Sequence, residues 1–259
     1  MAPLAEFEDA LHVNDVVAQL WGEDELSAAL VRAFQLAGTA LYGASADGVL
    51  VGFVLGFVGL REGIHLHSHM LGVMPEWQSR GIGYALKLAQ RAACLDSGIQ
   101  EVRWTFDPLV ARNAWFNLVK LGAVGTGLLI GFYGEMTDRI NRGDRSDRIE
   151  VRWPLTSKRV DRALSGRAEP PAPGPVVLEA AGGPERPEPI PTGERPQSGA
   201  VVAIPRDHFG LRVQDPDLGR AWREASALAL RSCFDAGLVA SWIDRSGRYV
   251  FQPPREALS

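Results

Sequence analysis

The sequence predicts an α/β protein of the α+β kind, with a mixed central β-sheet flanked by helices. Three observations carry this. The apolar run 49–59 is short, bounded by turn residues and rich in Val, Leu and Phe, and 64–74 reads as a further strand with His65, His67 and His69 alternating along it. Helical periodicity recurs at 26–37, 82–96 and 111–121. The order of the patterns is helix, helix, three strands, helix, strand, helix, two strands. A meander followed by strand-helix crossovers gives a mixed sheet with covering helices.

The elements follow in order. Asn14-Asp15 is expected to cap a short first helix. Leu26, Leu30, Ala33 and Ala37 repeat at helical spacing, and Gly38 ends that helix. Residues 40–44 form a strand, Ala46-Asp47-Gly48 a hairpin turn, and 49–59 the returning strand. After strand 64–74, Pro75 and Gly81 bracket a loop. From Ile82 the residues Leu86, Ala89 and Ala93 share one helical face as far as Ser97-Gly98. Strand 102–106 stops at Pro108, helix 111–121 at Gly122, and 124–133 and 149–155 are further strands.

Nine of the 17 prolines lie between Pro170 and Pro196, among Glu, Gly and Ala, which reads as an extended linker. The expected domains are therefore a body at 1–165, a linker at 166–198 and a tail at 199–259 packed on the body. The tail reads strand 200–204, helix 217–236, strands 238–243 and 248–252. This echoes 102–155, so the tail is expected to be a half-repeat of the body. Its helix is expected to bury Ala221, Ala225, Leu228, Ala229 and Phe234.

Composition narrows the function. Lys and Arg total 27 against 31 Asp and Glu, a net charge of −4, and the pI is near 5.8. Bulk electrostatics thus argue against nucleic acid or an anionic membrane as partner. No apolar run approaches the ~20 residues of a membrane span, and no basic-then-apolar leader opens the sequence. The expectation is a cytoplasmic protein. Cys94 and Cys233 supply neither a disulfide framework nor metal spacing, so no metal is expected.

The chemistry gathers in one loop. Gln78-Ser79-Arg80-Gly81-Ile82-Gly83 lies between a strand and a helix. Two glycines let the backbone approach a ligand closely. The unpaired N–H groups at the helix start suit a pyrophosphate. The loop is neither a dinucleotide fingerprint, which needs an earlier Gly-x-Gly, nor a P-loop, which needs Gly-Lys-Ser/Thr.

The run from His69 through Val73, Pro75, Gln78, Gly81 and Gly83 to Leu86 resembles the central motif of the GNAT (GCN5-related N-acetyltransferase) superfamily of acyltransferases. Asn113-Ala-Trp-Phe116-Asn-Leu-Val-Lys120-Leu-Gly122 resembles the family's later Asn-x-x-Ala helix. The resemblance covers roughly residues 5–155. It implies acetyl-CoA, or another acyl-CoA, as co-substrate. Gln78, Ser79, Arg80, Gly81, Ile82, Gly83 and Tyr84 would hold the diphosphate, the backbone at Leu71, Gly72 and Val73 the pantetheine arm and the oxyanion, and Asn113, Phe116 and Lys120 would flank the coenzyme. One position departs: Leu118 stands where relatives carry the tyrosine that protonates the leaving thiolate. Tyr84 and Tyr133 are the remaining candidates, and Tyr133 is taken as the acid.

His65, His67 and His69 alternate along one predicted strand and so share a face. The spacing of His67 and His69 before Val73 is similar to that of the paired strand histidines in arylalkylamine N-acetyltransferases, which implies a base or proton relay with an ionisation near pH 6 to 7. Glu62 and Glu76 are fallback bases. The arginines Arg139, Arg142, Arg145, Arg148 and Arg152 suit an anionic acceptor or acyl group, or a solvated loop balanced by Glu135, Asp138, Asp144 and Asp147. The expected function is N-acyl transfer to a small-molecule amine, with an amino acid first. The alternative is a coenzyme A-binding regulatory module. A third reading buries Trp222, Leu230, Phe234 and Trp242 against a second subunit of a homodimer.

Overall fold

The computed structural model describes residues 1–22, 26–134, 143–183 and 185–258. Among them Met1–Trp104 form one compact unit, and the residues from Thr105 onward form a second. Arg139, Arg142, Glu135 and Asp138 lie outside the described residues. Among the described residues no helix is long and apolar enough to cross a membrane.

The first unit runs β1 (Ala2–Pro3), α1 (Phe7–Leu20), α2 (Ala28–Leu36), β2 (Ala40–Ala46), β3 (Val49–Gly59), β4 (His65–Val73), α3 (Ile82–Asp96) and into β5 (Glu101–Phe106). Strands β1 to β4 pair antiparallel in sequence order, and β4 pairs with β5 in parallel at Leu66↔Val102 and His67↔Arg103. The β2–β3 turn puts Asp47 and Gly48 at φ 50° and 81°, the backbone that a tight hairpin requires. The first helix starts earlier than expected. Glu6 and Asp9 form a capping box, the Asp9 carboxylate accepting the N–H groups of Ala5 and Glu6 at 2.9 Å. Asn14 and Asp15 therefore lie mid-helix. One sheet face packs Phe53 and Leu55 against Val13 and Val17 of α1 and Val31 of α2. The other packs Val51 and Val54 against Leu86 of α3.

The second unit holds α4 (Ala111–Ala114), β6 (Val124–Leu129), β7 (Arg148–Pro154), α5 (Lys158–Leu164), β8 (Val176–Ala181), β9 (Glu188–Pro191), β10 (Ala200–Ala203), α6 (His208–Gln214), α7 (Pro216–Asp235), β11 (Val239–Ile243), β12 (Arg248–Gln252) and α8 (Pro254–Leu258). Its strand order is β7-β6-β11-β12-β10-β8-β9. The proline-rich stretch carries β8 and β9. Pro189 and Pro191 sit on β9, an edge strand, where a missing N–H costs no ladder bond. The indole of Trp222 on α7 donates to the Pro187 carbonyl at 2.8 Å and holds the stretch down.

Two expectations about α7 need correction. Leu228 is 71% exposed, and the buried stripe is Trp222, Arg223, Ser226, Ala229, Leu230 and Cys233. The stripe is rotated by one position because its centre is a buried ion cluster, which apolar spacing does not register. Trp222, Leu230 and Trp242 are buried within their own chain, which removes them as contacts to a second subunit.

Candidate active site

The histidine strand is not regular. Leu55 pairs with Met70 and Gly56 with Ser68, so His69 is an extra residue on β4, a β-bulge. His67 and His69 both pack on Phe57, with ring centroids 5.2 and 5.8 Å away, and lie 6.3 Å from each other. Phe34 of α2 stacks on Phe57 at 5.7 Å with the rings 5° from parallel. His65 is buried and its Nδ1 lies 3.0 Å from the Gly63 carbonyl, a structural role.

Burial holds His67 neutral, lowering its proton affinity to a pKa of about 4, with smaller contributions from His69, His65, Lys87 and Arg61. Burial also lowers His69. The ionisation near pH 6 to 7 expected for a free imidazole is thus displaced downward at His67. Neutral imidazoles are proton acceptors throughout the physiological range.

Beyond β4 the chain turns through Pro75–Trp77 into α3. Ser79 and Gly81 take left-handed backbone, at φ 62° and 83°. Gly81 is the N-cap of α3, and no side chain caps that helix. Its first-turn N–H groups have no side-chain acceptor at the cap. A Cβ on Gly81 would meet nothing within 4 Å, and one on Gly83 only Leu71 and Val73, both at 3.8 Å. Gly81 therefore faces open space, whereas Gly83 lies over the apolar side chains of β4. The Arg80 guanidinium lies 4.9 Å from the Trp77 ring centroid at the rim.

Two buried thiols take no part. Burial raises Cys94 to about 11 and Cys233 to about 12, so neither is a thiolate near neutrality.

Residues 10–116 match the family model described as Acetyltransferase (GNAT) family. This stretch is a GNAT acetyltransferase domain. No curated protein matches the chain. Among solved structures, Chaetomium thermophilum Naa20 in complex with a bisubstrate analogue is similar at 16% identity and TM-score 0.48, over 62% of this chain and 86% of that one. The ribosomal-protein-S18-alanine N-acetyltransferase from Escherichia coli is similar at 16% identity and TM-score 0.46, over 58% and 90%. Aminoglycoside 6′-acetyltransferase type Ii is similar at 17% and 0.46, over 57% and 91%.

The segment 113–122, which resembles the family's later motif, lies in the second unit. Asn113 is exposed on α4, and the expected helix 111–121 becomes a π-helical turn at Trp115–Lys120, where the Leu121 N–H reaches back to the Phe116 carbonyl. Phe116 is half-buried and Lys120 exposed on that turn, while Leu118 is 1% exposed in the core. Tyr133 is exposed, with its hydroxyl 3.4 Å from Thr105 Oγ1 and the Arg148 guanidinium 5.3 Å from its ring centroid.

Two polar groups escaped the sequence reading. Lys87 is buried on α3 and donates to Ser68 Oγ at 2.7 Å. Arg223 is buried on α7 and gives two hydrogen bonds to Asp107, at 2.8 and 2.9 Å, and further bonds to Asp144. One signal for the first was available: Lys87 is one of three lysines in the chain, and it lies on the helical face of Leu86, Gln90 and Cys94.

Proposed function

We propose that the chain is an acyl-CoA-dependent N-acyltransferase that moves an acetyl group, or another short acyl such as succinyl, to the amine of a small molecule, an amino acid being the first choice. The uncapped start of α3 behind the Gly81 turn carries this reading, because it follows the bulged strand that bears His67 and His69.

In this reading Gln78 to Tyr84 and the α3 N-terminus bind the diphosphate of the co-substrate. The strand backbone at Leu71, Gly72 and Val73 receives the pantetheine arm and donates an N–H to the developing oxyanion. The acceptor's ammonium proton passes to the neutral pair His67 and His69, freeing the nitrogen lone pair for the thioester carbonyl. Phe34 and Phe57 wall that position. A cytoplasmic setting belongs to the proposal.

Free thiol released from acetyl-, propionyl- or succinyl-CoA, screened against amino acids and amines, tests the reading. Acceptor-dependent release is expected. Coenzyme A binding with no release for any pair would favour the regulatory module instead, consistent with a buried, proton-free Leu118 at the usual acid position.

A further inference from the structure

Behind the histidines lies a buried ammonium without a carboxylate. Lys87 is 2% exposed. Its Nζ donates to Ser68 Oγ at 2.7 Å and to Gln90 Oε1 at 3.1 Å, and sits 4.0 Å from the Trp104 ring centroid. Among the described residues no Asp or Glu forms an ion pair with it. Such a group is costly to bury, and a methionine would fill the volume at less cost. Burial accordingly lowers its pKa to about 7, Cys94 opposing weakly. The position of the group suggests its use. Ser68 stands between His67 and His69 in sequence, and its side chain meets α3, on the sheet face opposite the one where the two imidazoles lie against Phe57.

We propose that Lys87 is a positioning residue for the histidine pair: from the α3 side of β4 it holds Ser68, and with it the bulge that presents His67 and His69. The proposal rests on the acyltransferase reading for its consequence in turnover, and on this unit's geometry alone for the rest.

Two contributions act together. The hydrogen bond fixes the strand at the residue next to the bulge, where an extra residue weakens the ladder. The charge acts through the sheet. His67 faces His65 and His69 from its own strand, Arg61 from the β3–β4 turn and Lys87 from α3, and each of these disfavours its protonation. Arg103 of β5 pairs in register with His67, but its guanidinium is engaged by Glu101 and Glu62. The described α2 residue at this point, Phe34, brings no charge.

Lys87→Met in the full chain tests this. NMR titration of the imidazoles, which needs no turnover, is expected to show a small upward move of the His67 midpoint from about 4, since burial, the larger cause, remains. Thermal melts are expected to show a stabilised protein, by more at pH 6 than at pH 9, because the burial penalty falls on the protonated amine. Coenzyme A affinity by calorimetry should stay unchanged, and kcat should fall about tenfold through lost alignment. Ser68→Ala, which keeps the charge and removes the bond, should lower kcat and leave the His67 midpoint closer to wild type. An unmoved His67 midpoint in Lys87→Met, or wild-type kcat in both variants, would overturn the proposal. A wild-type protein inert toward every acyl-CoA and amine would instead overturn the acyltransferase reading, with the titration still deciding the role of Lys87. Should Lys87→Met fail to fold, the Ser68→Ala rates alone decide it.

Discussion

Gln78 Nε2 donates to the carbonyl of Val73 at 3.1 Å, tying the loop that enters α3 back to the end of β4. The bond ties the strand end to the proposed diphosphate cradle. Gln78→Ala removes it. With about 1 kcal/mol for such a bond, the Kd for coenzyme A should rise about fivefold in calorimetric titration. An unchanged Kd would separate the loop from ligand binding.

Gly83 offers a cleaner probe than Gly81, whose φ of 83° would strain any replacement. A Cβ at Gly83 meets only ordinary contacts at 3.8 Å. Gly83→Asp should therefore fold normally by circular dichroism yet weaken coenzyme A binding, since it adds a negative charge in the first turn of α3, beside the proposed diphosphate position. Retained affinity would move the co-substrate elsewhere.

His69→Ala should lower kcat about 10²-fold, the usual worth of a positioned proton acceptor. The acid limb is a separate test. Because burial holds His67 neutral down to about pH 4, kcat/KM measured with an acceptor amine of pKa below about 6 should not fall with a His67 ionisation between pH 8 and 6. A full limb near pH 6.5 that disappears in His67→Ala would show an ordinary, solvated imidazole.

Arg223 is the hub of the second unit's ion cluster, bonded to Asp107 and Asp144, with His208 and Arg212 also on Asp144 at 3.0 and 3.1 Å. Arg223→Met leaves two carboxylates without their main partner and should cost about 3–5 kcal/mol in urea unfolding. Burial alone would raise the Asp144 pKa, but the bonds from His208 and Arg223 outweigh it and hold it well below the usual range. A depressed carboxylate stabilises the fold above its unfolded value of about 3.9, and that contribution is lost as pH falls through the folded value. Acid unfolding should thus steepen below about pH 4, and Asp144→Asn should flatten it. Identical acid profiles would make the cluster energetically idle.

Removing the residues after 165 should destroy the second unit rather than trim it. Strand β6 pairs with β11 at Gly125↔Ala240, Tyr249 donates to the Pro108 carbonyl at 2.8 Å, and Arg223 holds Asp107. The truncated chain should show a lower melting midpoint and aggregate. An unchanged midpoint would mean that these contacts contribute nothing.

The strands were legible because burial on both faces writes a continuous apolar run: β3 spans Val49–Gly59, as its Val, Leu and Phe content indicates. The loop at Gln78 to Gly83 was legible as a strand-to-helix turn because Gly81 marks where the backbone turns into α3. What stayed hidden was buried polarity. The α3 periodicity pointed to Leu86, Ala89 and Ala93, whereas the face that packs inward is Leu86, Lys87, Gln90 and Cys94. Apolar spacing finds burial only where burial is apolar. The π-helical turn at Trp115–Lys120 was hidden for another reason. One extra residue per turn leaves no mark on a six-residue stretch that also fits an α-helix.

The Gly125↔Ala240 pairing also sets an order of events during synthesis. Strand β6 leaves the ribosome long before β11, its neighbour in the sheet. At translation rates of about 5–20 residues per second, β6 waits on the order of ten seconds with an open edge. Through that interval the nascent chain exposes an unpaired strand, the species most prone to pair with the wrong partner. The first unit, whose strands β1 to β4 pair with their sequence neighbours, has no such delay. Expression yield should therefore depend on chaperone supply and growth temperature through the second unit, not through the strand that bears the histidines.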